Sequence, residues 1–295
     1  MGKILNQIKQ GKILVSDGAW GTFLQQKGLQ IGECPEEWNV THAEDVFDIA
    51  RSYIESGADM IETNSFGGTH FKLEKYGLGD KVFELNKSAA EISRKAAGDK
   101  FVLGSVGPTG KILMMGDVTE EELYDAFKEQ VKGLEAGGAD AIMIETMTDL
   151  DEARLAVRAA KENTGCEVFC TMTFEKTVDG EFRSMMGVAP TDMVNTIIDA
   201  GAELIGANCG NGIANMIGIV EEIRKINKDI PVLVHANAGM PVYKDGKTVF
   251  PETPDEMAVL VPKIIAAGAN IIGGCCGTTP THISRVRNAV DGKQL

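Results

Sequence analysis

Short apolar runs alternate with longer amphipathic segments along this chain of 295 residues. The apolar runs fall at residues 12–16, 59–64, 101–106, 140–145, 167–174, 204–209, 232–237 and 271–276. Between them, residues 119–137, 150–163 and 213–227 carry apolar side chains at three- and four-residue spacing, which is typical of helices. The pattern therefore predicts eight strands that alternate with helices.

A short repeat marks where a helix is predicted to end and the next strand to begin. It consists of glycine, alanine and an acid or asparagine, at Gly57-Ala58-Asp59, Gly138-Ala139-Asp140, Gly201-Ala202-Glu203 and Gly268-Ala269-Asn270. Each glycine is expected to cap its helix, because glycine adopts the left-handed conformation without strain. Because the unit recurs through the chain, we expect a single-domain (β/α)8 TIM barrel over residues 1–295 rather than an open doubly wound sheet.

The charge and cysteine content narrow the classes of partner and compartment. The formal net charge is −14, so neither a nucleic acid nor an anionic membrane is expected as a partner, since both require a basic surface. No apolar run approaches the roughly 20 residues of a membrane span, and the first residues lack the apolar core of a signal peptide. Six cysteines in so long a chain do not indicate a disulfide scaffold, so a cytoplasmic protein is expected.

Polar residues stand at the ends of the predicted strands, where a barrel gathers its functional groups. Asp17 follows the first strand, Glu145 ends the fourth, Cys209 ends the sixth, Asn237 ends the seventh and the pair Cys275-Cys276 ends the eighth. Only one strand separates the sixth from the eighth. Their ends are therefore expected to lie close enough to share one ligand.

Three of the six cysteines have a setting that suits a metal. Two glycines precede the adjacent pair Cys275-Cys276 and one follows it, so the backbone can bend and turn both sulfurs toward one centre. Cys209 also ends an apolar strand that runs into glycines. Three thiolates from two strand ends predict an open zinc site, with the fourth tetrahedral position free for a substrate atom.

The remaining thiols and the histidine of strand seven have simpler interpretations. Cys34, Cys166 and Cys170 are expected to be small apolar residues of the core. A redox disulfide between Cys275 and its neighbour is disfavoured because a bond between adjacent residues is strained. His235 is a metal ligand by type, but we expect a satisfied histidine inside the barrel.

Two acidic residues and a short loop suggest an amino-acid ligand. Asp17 is followed by Gly18 and Ala19, whose backbone N–H groups could hold a substrate carboxylate. Glu145 supplies a second carboxylate at a strand end. Carboxylates beside amide donors suit the zwitterion of an amino acid.

Four motifs resemble those of the zinc-dependent homocysteine S-methyltransferases. They are Asp17-Gly18-Ala19-Trp20-Gly21-Thr22, Thr63-Asn64-Ser65-Phe66-Gly67, Asn208-Cys209 and Gly273-Gly274-Cys275-Cys276-Gly277-Thr278-Thr279-Pro280. Within that family, Gly277, the stretch 107–110 and Glu145-Thr146 are similar to the homocysteine-binding module of cobalamin-dependent methionine synthase. The betaine-using enzymes carry tyrosine where Thr146 stands, which argues against a betaine donor.

This resemblance implies a role for each candidate residue. The ligands of zinc would be Cys209, Cys275 and Cys276. Asn237 would approach the metal or the substrate sulfur from strand seven, although the family module often has proline at the preceding position, where this chain has Ala236. Asp17 and Glu145 would receive the ammonium of homocysteine, and the backbone of Gly18 and Ala19 its carboxylate.

The source of the methyl group follows from the same resemblance. Little sequence follows strand eight, so no folate, corrinoid or activation domain is expected, and the methyl group would arrive on a separate molecule or protein. A methyl-corrinoid protein is the expected donor, and Phe66 and Met114 are predicted to contact it at the mouth of the barrel.

Three other functions stay open at this point. The first is a methyltransferase of the same fold that exchanges methyl groups between a corrinoid protein and another methylated substrate or thiol. The second is a stand-alone homocysteine methyltransferase that uses S-methylmethionine or S-adenosylmethionine. The third is a non-catalytic module that binds thiols or metal.

Overall fold

The computed structural model describes residues 2–244 and 247–293. Eight parallel strands form one sheet, in the order β1-β8-β7-β6-β5-β4-β3-β2. These strands are β1 (Leu14–Val15), β2 (Met60–Glu62), β3 (Phe101–Val106), β4 (Ala141–Met147), β5 (Glu167–Met172), β6 (Leu204–Gly212), β7 (Val232–Asn237) and β8 (Ile271–Gly274). The predicted (β/α)8 barrel is confirmed.

A helix follows each strand and packs outside the sheet. These helices are α1 (Ala43–Glu55), α2 (Val82–Ala97), α3 (Glu120–Ala136), α4 (Leu150–Asn163), α5 (Pro190–Asp199), α6 (Ile213–Ile226), α7 (Pro254–Ala267) and α8 (Pro280–Val290). Shorter helices lie at Lys3–Lys9, Gly21–Lys27, Trp38–Thr41 and His70–Leu73, and two short hairpins follow β5 and β7. None of the helices within the described ranges has both the length and the apolar character needed to cross a membrane.

The predicted bounds differ from the observed ones mainly at the strand ends that carry polar residues. Strands β3 and β7 have the predicted limits, whereas β8 ends at Gly274. The two cysteines therefore lie in the turn after β8. The carbonyl oxygen of Cys275 accepts hydrogen bonds from both the N–H and the hydroxyl of Thr278, at 3.1 and 2.7 Å, which close this turn.

The glycine-alanine-acid repeat fastens each even-numbered strand to the strand before it. The four glycines have φ between 98° and 115°, as expected of helix caps. The side chain of the third residue accepts a hydrogen bond from a backbone N–H of the neighbouring strand. These pairs are Asp59 with Val15, Asp140 with Val102, Glu203 with Val168 and Asn270 with Val232.

One backbone hydrogen bond and one side chain also join β1 to β2, the first two strands of the barrel. The N–H of Asp59 donates to the carbonyl oxygen of Val15 at 2.7 Å. At the C-terminal ends of the same two strands, Oδ2 of Asp17 accepts the N–H of Glu62 at 3.0 Å. Asp17, a predicted site residue, thus links the end of β1 to β2 by a hydrogen bond.

The N-terminal helix Lys3–Lys9 covers the bottom of the barrel. Its residues Ile4, Leu5 and Ile8 are buried in one cluster with inward-facing side chains of all eight strands. The carboxylate of Glu167 accepts the N–H groups of Ile4 and Leu5, at 3.1 and 2.9 Å, which satisfies two free donors of the first helical turn. The opposite, C-terminal end remains for ligands.

This arrangement predicts that the helix contributes strongly to stability. Ile4→Ala should lower the free energy of unfolding by about 2–4 kcal/mol, because it removes a fully buried side chain and leaves a cavity. Lys9→Ala, at an exposed position of the same helix, should change it by less than about 0.5 kcal/mol. Urea unfolding measures both, and equal effects would contradict the packing described.

Candidate active site

Three cysteine sulfurs meet at the C-terminal end of the barrel. The Sγ atoms of Cys209 and Cys276 are 3.9 Å apart, those of Cys275 and Cys276 are 4.0 Å apart, and all three lie within 4.8 Å of one another. A tetrahedral zinc ion with bonds of about 2.3 Å would place its sulfur ligands about 3.8 Å apart. The cluster therefore fits one zinc ion. The cysteines are free thiols, separated by twice the roughly 2 Å length of a disulfide bond.

Two glycines allow the turn that presents the adjacent cysteines. A Cβ atom at Gly274 would lie 2.2 Å from the hydroxyl of Thr278, and one at Gly273 would lie 2.7 Å from the ring of His235. The turn is also tied to β7, because the N–H of Cys275 donates to the carbonyl oxygen of Ala236 at 2.7 Å. Any larger residue at either glycine would push the sulfurs out of position.

Asn208 organises the other half of the cluster. Cys209 and Thr146 are the two described non-glycine residues with positive φ, at 58° and 60°, a conformation that costs roughly 1–3 kcal/mol. Oδ1 of Asn208 accepts the N–H of Thr146 and the hydroxyl of Thr171, both at 2.7 Å. Its Nδ2 donates to the hydroxyl of Thr146 at 2.7 Å and to Glu145 at 3.3 Å. The amide of Asn208 thus holds the strained residue Thr146 and lies next to the other strained residue, Cys209, along the chain.

Asn237 contributes an oxygen without a partner. The side chain is buried at the end of β7 and hydrogen-bonds the thiol of Cys209, which helps to lower the pKa of that thiol. Among the described residues, nothing donates a hydrogen bond to its Oδ1. A buried acceptor without a donor beside the sulfurs is the kind of atom that a bound cation or a ligand satisfies.

The thiols cannot all ionise together without a cation. The S–H groups of Cys275 and Cys276 stabilise a thiolate at Cys209 and lower its pKa to about 3. The contact with Cys209 raises the pKa of Cys276 to about 12, and contacts with both other thiols raise the pKa of Cys275 well above its usual value. Three thiolates at this spacing therefore require a positive charge at their centre.

A cavity of about 320 Å³ opens beside the sulfurs. It is lined by residues 18–22 after β1, residues 62–66 at the end of β2, Glu145 and the three cysteines. No lysine or arginine lines this cavity within the described part of the chain. Its charged groups are acidic.

Glu145, the predicted ammonium ligand at the end of strand four, lines the cavity. Its side chain is buried, accepts the hydroxyl of Ser105 at 2.5 Å, and lies next to Asn208. Burial raises the pKa of Glu145 to about 7, against the opposing effect of the Ser105 hydrogen bond. The carboxyl is therefore poised to ionise when a cation arrives.

Asp17 lies deeper than the predicted role requires. It is fully buried and is not among the residues that line the cavity. Besides Glu62, the indole N–H of Trp20 and the hydroxyl of Ser16 donate to it, both at 2.9 Å. Burial raises its pKa to about 6, although these hydrogen bonds act in the opposite direction.

Gly18 and Ala19 line the cavity, as predicted. The N–H of Ala19 already donates to the hydroxyl of Thr278 at 3.1 Å, so a substrate carboxylate would compete for that donor. Gly18 has no room for a side chain, because a Cβ atom would lie 2.6 Å from the same hydroxyl.

Two cavity residues were given no functional role by the sequence. Glu62 and His235 are both buried, and Nδ1 of His235 lies 3.4 Å from Oε1 of Glu62. Neither Oε1 of Glu62 nor Nε2 of His235 makes a hydrogen bond within the described residues. The expectation of a satisfied histidine was therefore wrong. The signal for Glu62 was an acid at the end of an otherwise apolar strand.

The other three cysteines lie apart from the cluster. Cys170 is fully buried in the main core, and Cys34 is buried with its thiol 3.4 Å from Glu36. Cys166 is half-buried and donates to the carbonyl oxygen of Ala139 at 3.3 Å. Their assignment as packing residues agrees with these positions.

Comparison with known proteins identifies the class. Residues 14–290 match the family model described as homocysteine S-methyltransferase. The chain is 36% identical over 300 residues to the methionine synthases of Mycobacterium tuberculosis and Mycobacterium leprae, with 95% of the chain aligned in each case. It spans about a quarter of the length of those two proteins, 25% and 24%.

A solved structure has the same fold. The homocysteine methyltransferase MmuM from Escherichia coli, in its metallated form, superposes with a TM-score of 0.79 at 22% identity, covering 97% of this chain and 99% of that one. The oxidized form of the same protein superposes with a TM-score of 0.78 at 24% identity, with the same coverage of both chains. The chain belongs to the homocysteine S-methyltransferase family, which is a family of enzymes.

The raised pKa of Glu145 predicts a pH-dependent stability. Between its ordinary pKa of 4.5 and about 7, the folded protein binds more protons than the unfolded chain, so this residue's contribution to stability is lost as pH rises through that window. In Glu145→Gln the contribution is absent. The difference in unfolding free energy between wild type and variant should therefore fall from pH 4.5 to 7 in denaturant titrations, and a difference that rises would contradict the burial effect.

Proposed function

We propose that this chain transfers a methyl group to the thiol of homocysteine, giving methionine. Zinc would be held by Cys209, Cys275 and Cys276, and a methyl-corrinoid on a separate molecule would supply the methyl group. The observation that carries the proposal is the presence of three sulfurs at the spacing of one metal ion beside buried carboxyls in one cavity. Free thiols throughout the chain also support a reducing, cytoplasmic compartment.

The cavity supports an amino acid with a thiol as the acceptor. The three cysteines would hold zinc, and the unpartnered oxygen of Asn237 would approach the metal or the substrate sulfur. Bound zinc would keep a substrate thiol ionised near neutral pH. Glu145, which lines the same cavity, would bind the ammonium, with Asp17 behind it adding negative charge. The loop of Gly18 and Ala19 would receive the carboxylate.

The protein's own groups fix the acceptor in place for an in-line displacement. The amide side chain of Asn208, the residue before Cys209, accepts the backbone N–H of Thr146 and donates to the carboxyl of Glu145, so it would place that carboxyl relative to a strand end that carries a zinc ligand. The thiol proton leaves, a sulfur–carbon bond forms, and the bond from the methyl carbon to its donor breaks, with the electron pair passing to the donor.

The donor is supported by the relatives and by the mouth of the cavity. The aligned methionine synthases are about four times longer than this chain. Phe66 lines the cavity while 41% of it is exposed, and Met114 is 83% exposed on the loop after β3. Gly107 leaves room for the ring of Phe66, since a Cβ atom there would lie 2.5 Å from it. These apolar groups suit a large, partly apolar donor.

Metal analysis tests the zinc site. Wild-type protein should contain about one zinc per chain, and Cys209→Ala and Cys275→Ala should each lose most of it, because two thiolates no longer complete the site. Cys166→Ala, which changes a cysteine outside the cluster, should retain full occupancy. Full zinc content in both cluster variants would show that the ligands are wrong.

A donor assay tests the reaction. With homocysteine present, the protein should demethylate methylcobalamin, because cob(I)alamin is a good leaving group and zinc activates only the acceptor. Stopped-flow absorbance should show homocysteine-dependent loss of the methyl-cobalt species, and this loss should be absent in Cys276→Ala. Rapid turnover with S-methylmethionine or S-adenosylmethionine, and none with methylcobalamin, would instead identify the stand-alone activity.

A further inference from the structure

We infer that Glu252 is a positioning residue for the sulfur cluster: it ties the strand end that carries Cys209 to the turn that carries Cys276, and so sets the affinity of the cluster for the proposed metal. The inference rests on the proposed function, since it concerns the residues proposed to hold zinc. No sequence motif gave Glu252 a role. It does not line the cavity, and it lies on the segment that leads from the hairpin after β7 into α7.

The first observation is that Cys209 projects from a bulge in β6. Asn208 pairs with His235 and Gly212 pairs with Asn237, so the two pairs that bound the bulge are four residues apart on β6 and two apart on β7. Cys209 is the first residue inside the bulge, where its φ is 58°. Because a bulge redirects the side chains within it, the direction of this sulfur depends on what fixes Gly212, the far end of the bulge.

The second observation is that the side chain of Glu252 contacts this far end. Gly212 is the N-cap of α6 and has no side chain to accept the free N–H groups of the first helical turn. Burial raises the pKa of Glu252, and hydrogen bonds from the N–H groups of Gly239 and Ile213 to its carboxylate act in the opposite direction. The carboxylate thus supplies the missing acceptor. A Cβ atom at residue 212 would lie 2.8 Å from Oε2 of Glu252, so the glycine also leaves room for it.

The third observation is that the backbone of Glu252 is joined to the turn after β8. Its N–H donates to the carbonyl oxygen of Ala238 at 2.9 Å, and the N–H of Ala238 donates to the carbonyl oxygen of Cys276 at 3.0 Å. The carbonyl oxygen of Glu252 lies 3.0 Å from Nε2 of His282, on α8. Nδ1 of that ring accepts the N–H of Thr279 at 3.2 Å, so Nε2 carries the proton and donates.

Phe250 holds the same segment against the cysteine pair. A Cβ atom at Gly277, the residue after Cys276, would lie 2.3 Å from Cβ of Phe250. Contacts of residues 250–252 therefore reach β6, β7 and the turn after β8. The sulfurs of Cys209 and Cys276, which these contacts join from opposite sides, are 3.9 Å apart. Outer contacts that orient metal ligands commonly determine how tightly the metal is held.

The zinc affinity of two side-chain variants tests the inference. Glu252→Ala removes the carboxylate but leaves the backbone bonds of residue 252, so the end of the bulge loses its acceptor. Zinc should bind about ten- to a hundredfold more weakly in competition with a chromophoric chelator, as is typical when an outer contact of a metal ligand is lost. Glu252→Gln retains one acceptor oxygen and should regain part of that affinity.

The matched control is Glu256→Ala. Glu256 follows on the same segment and accepts the N–H and the hydroxyl of Thr253, both at 2.8 Å, which caps α7. Losing this cap should lower the thermal midpoint of unfolding, but the bulge keeps its contacts, so zinc affinity should change less than about twofold.

A second measurement needs no metal. In a Cys275→Ala background, Cys209 and Cys276 are the remaining thiols of the cluster, and dibromobimane becomes strongly fluorescent when it bridges two neighbouring thiols. Adding Glu252→Ala should slow this bridging several-fold in metal-free protein, because the two sulfurs are no longer held side by side. Labelling by monobromobimane, which requires one thiol, should change much less.

The outcomes separate this inference from the proposed function. Unchanged zinc affinity or unchanged bridging in Glu252→Ala would overturn the role of Glu252, while zinc binding by the wild type would still support the proposed function. An equal loss of affinity in Glu256→Ala would also overturn it, since the effect would then be a general loss of stability. If the wild type binds no zinc, the proposed function fails, and the bridging rates alone decide the inference.

Discussion

The constraint on which the site depends is the concentration of ionisable acidic groups in one buried place. Three thiols and the carboxyls of Glu62 and Glu145 share a cavity that no lysine or arginine of the described chain enters. Charges of one sign in a low-dielectric space repel strongly, so most of these groups keep their protons in the protein alone. In the proposed function, two cations of different kinds would relieve the repulsion: a divalent metal at the sulfurs and an ammonium at the carboxyls. The affinity for both would then come from the same electrostatic arrangement.

Holding such groups together places demands on the backbone. Cys209 and Thr146 have left-handed backbone conformations, which cost conformational free energy. The side-chain amide of Asn208 bonds to Thr146 and to the carboxyl of Glu145. The turn after β8 needs two glycines in succession. Strain of this kind persists only where the surroundings fix it, and here those surroundings are the closed barrel and the helix Lys3–Lys9 that covers its base. Packing at the N-terminal end of the barrel therefore helps to hold the strained backbone at its C-terminal end.

The sequence predicted the barrel and the sulfur cluster because both depend on local signals. Apolar periodicity and the glycine repeat are readable along the chain, and Cys275 with its neighbouring glycines is a compact motif. The carboxyl site was harder to predict. Whether Asp17 or Glu62 lines the cavity depends on how β1 and β2 are joined, and that contact links residues 45 positions apart. The partner of His235 likewise lies across the barrel, where no spacing rule applies.

The plugged base also bears on how two reactants reach one sulfur cluster. Since the helix Lys3–Lys9 packs against inward side chains of every strand, the C-terminal mouth is the end at which the proposed acceptor and donor would both approach. The carboxyls and the loop of residues 18–22 line that cavity, Phe66 lines it while it stays partly exposed, and Met114 is exposed on the segment after β3. In the proposed reaction, an acceptor bound at the carboxyls would direct its sulfur at the metal site and leave these two apolar side chains uncovered. The donor would then approach the sulfur without displacing the acceptor.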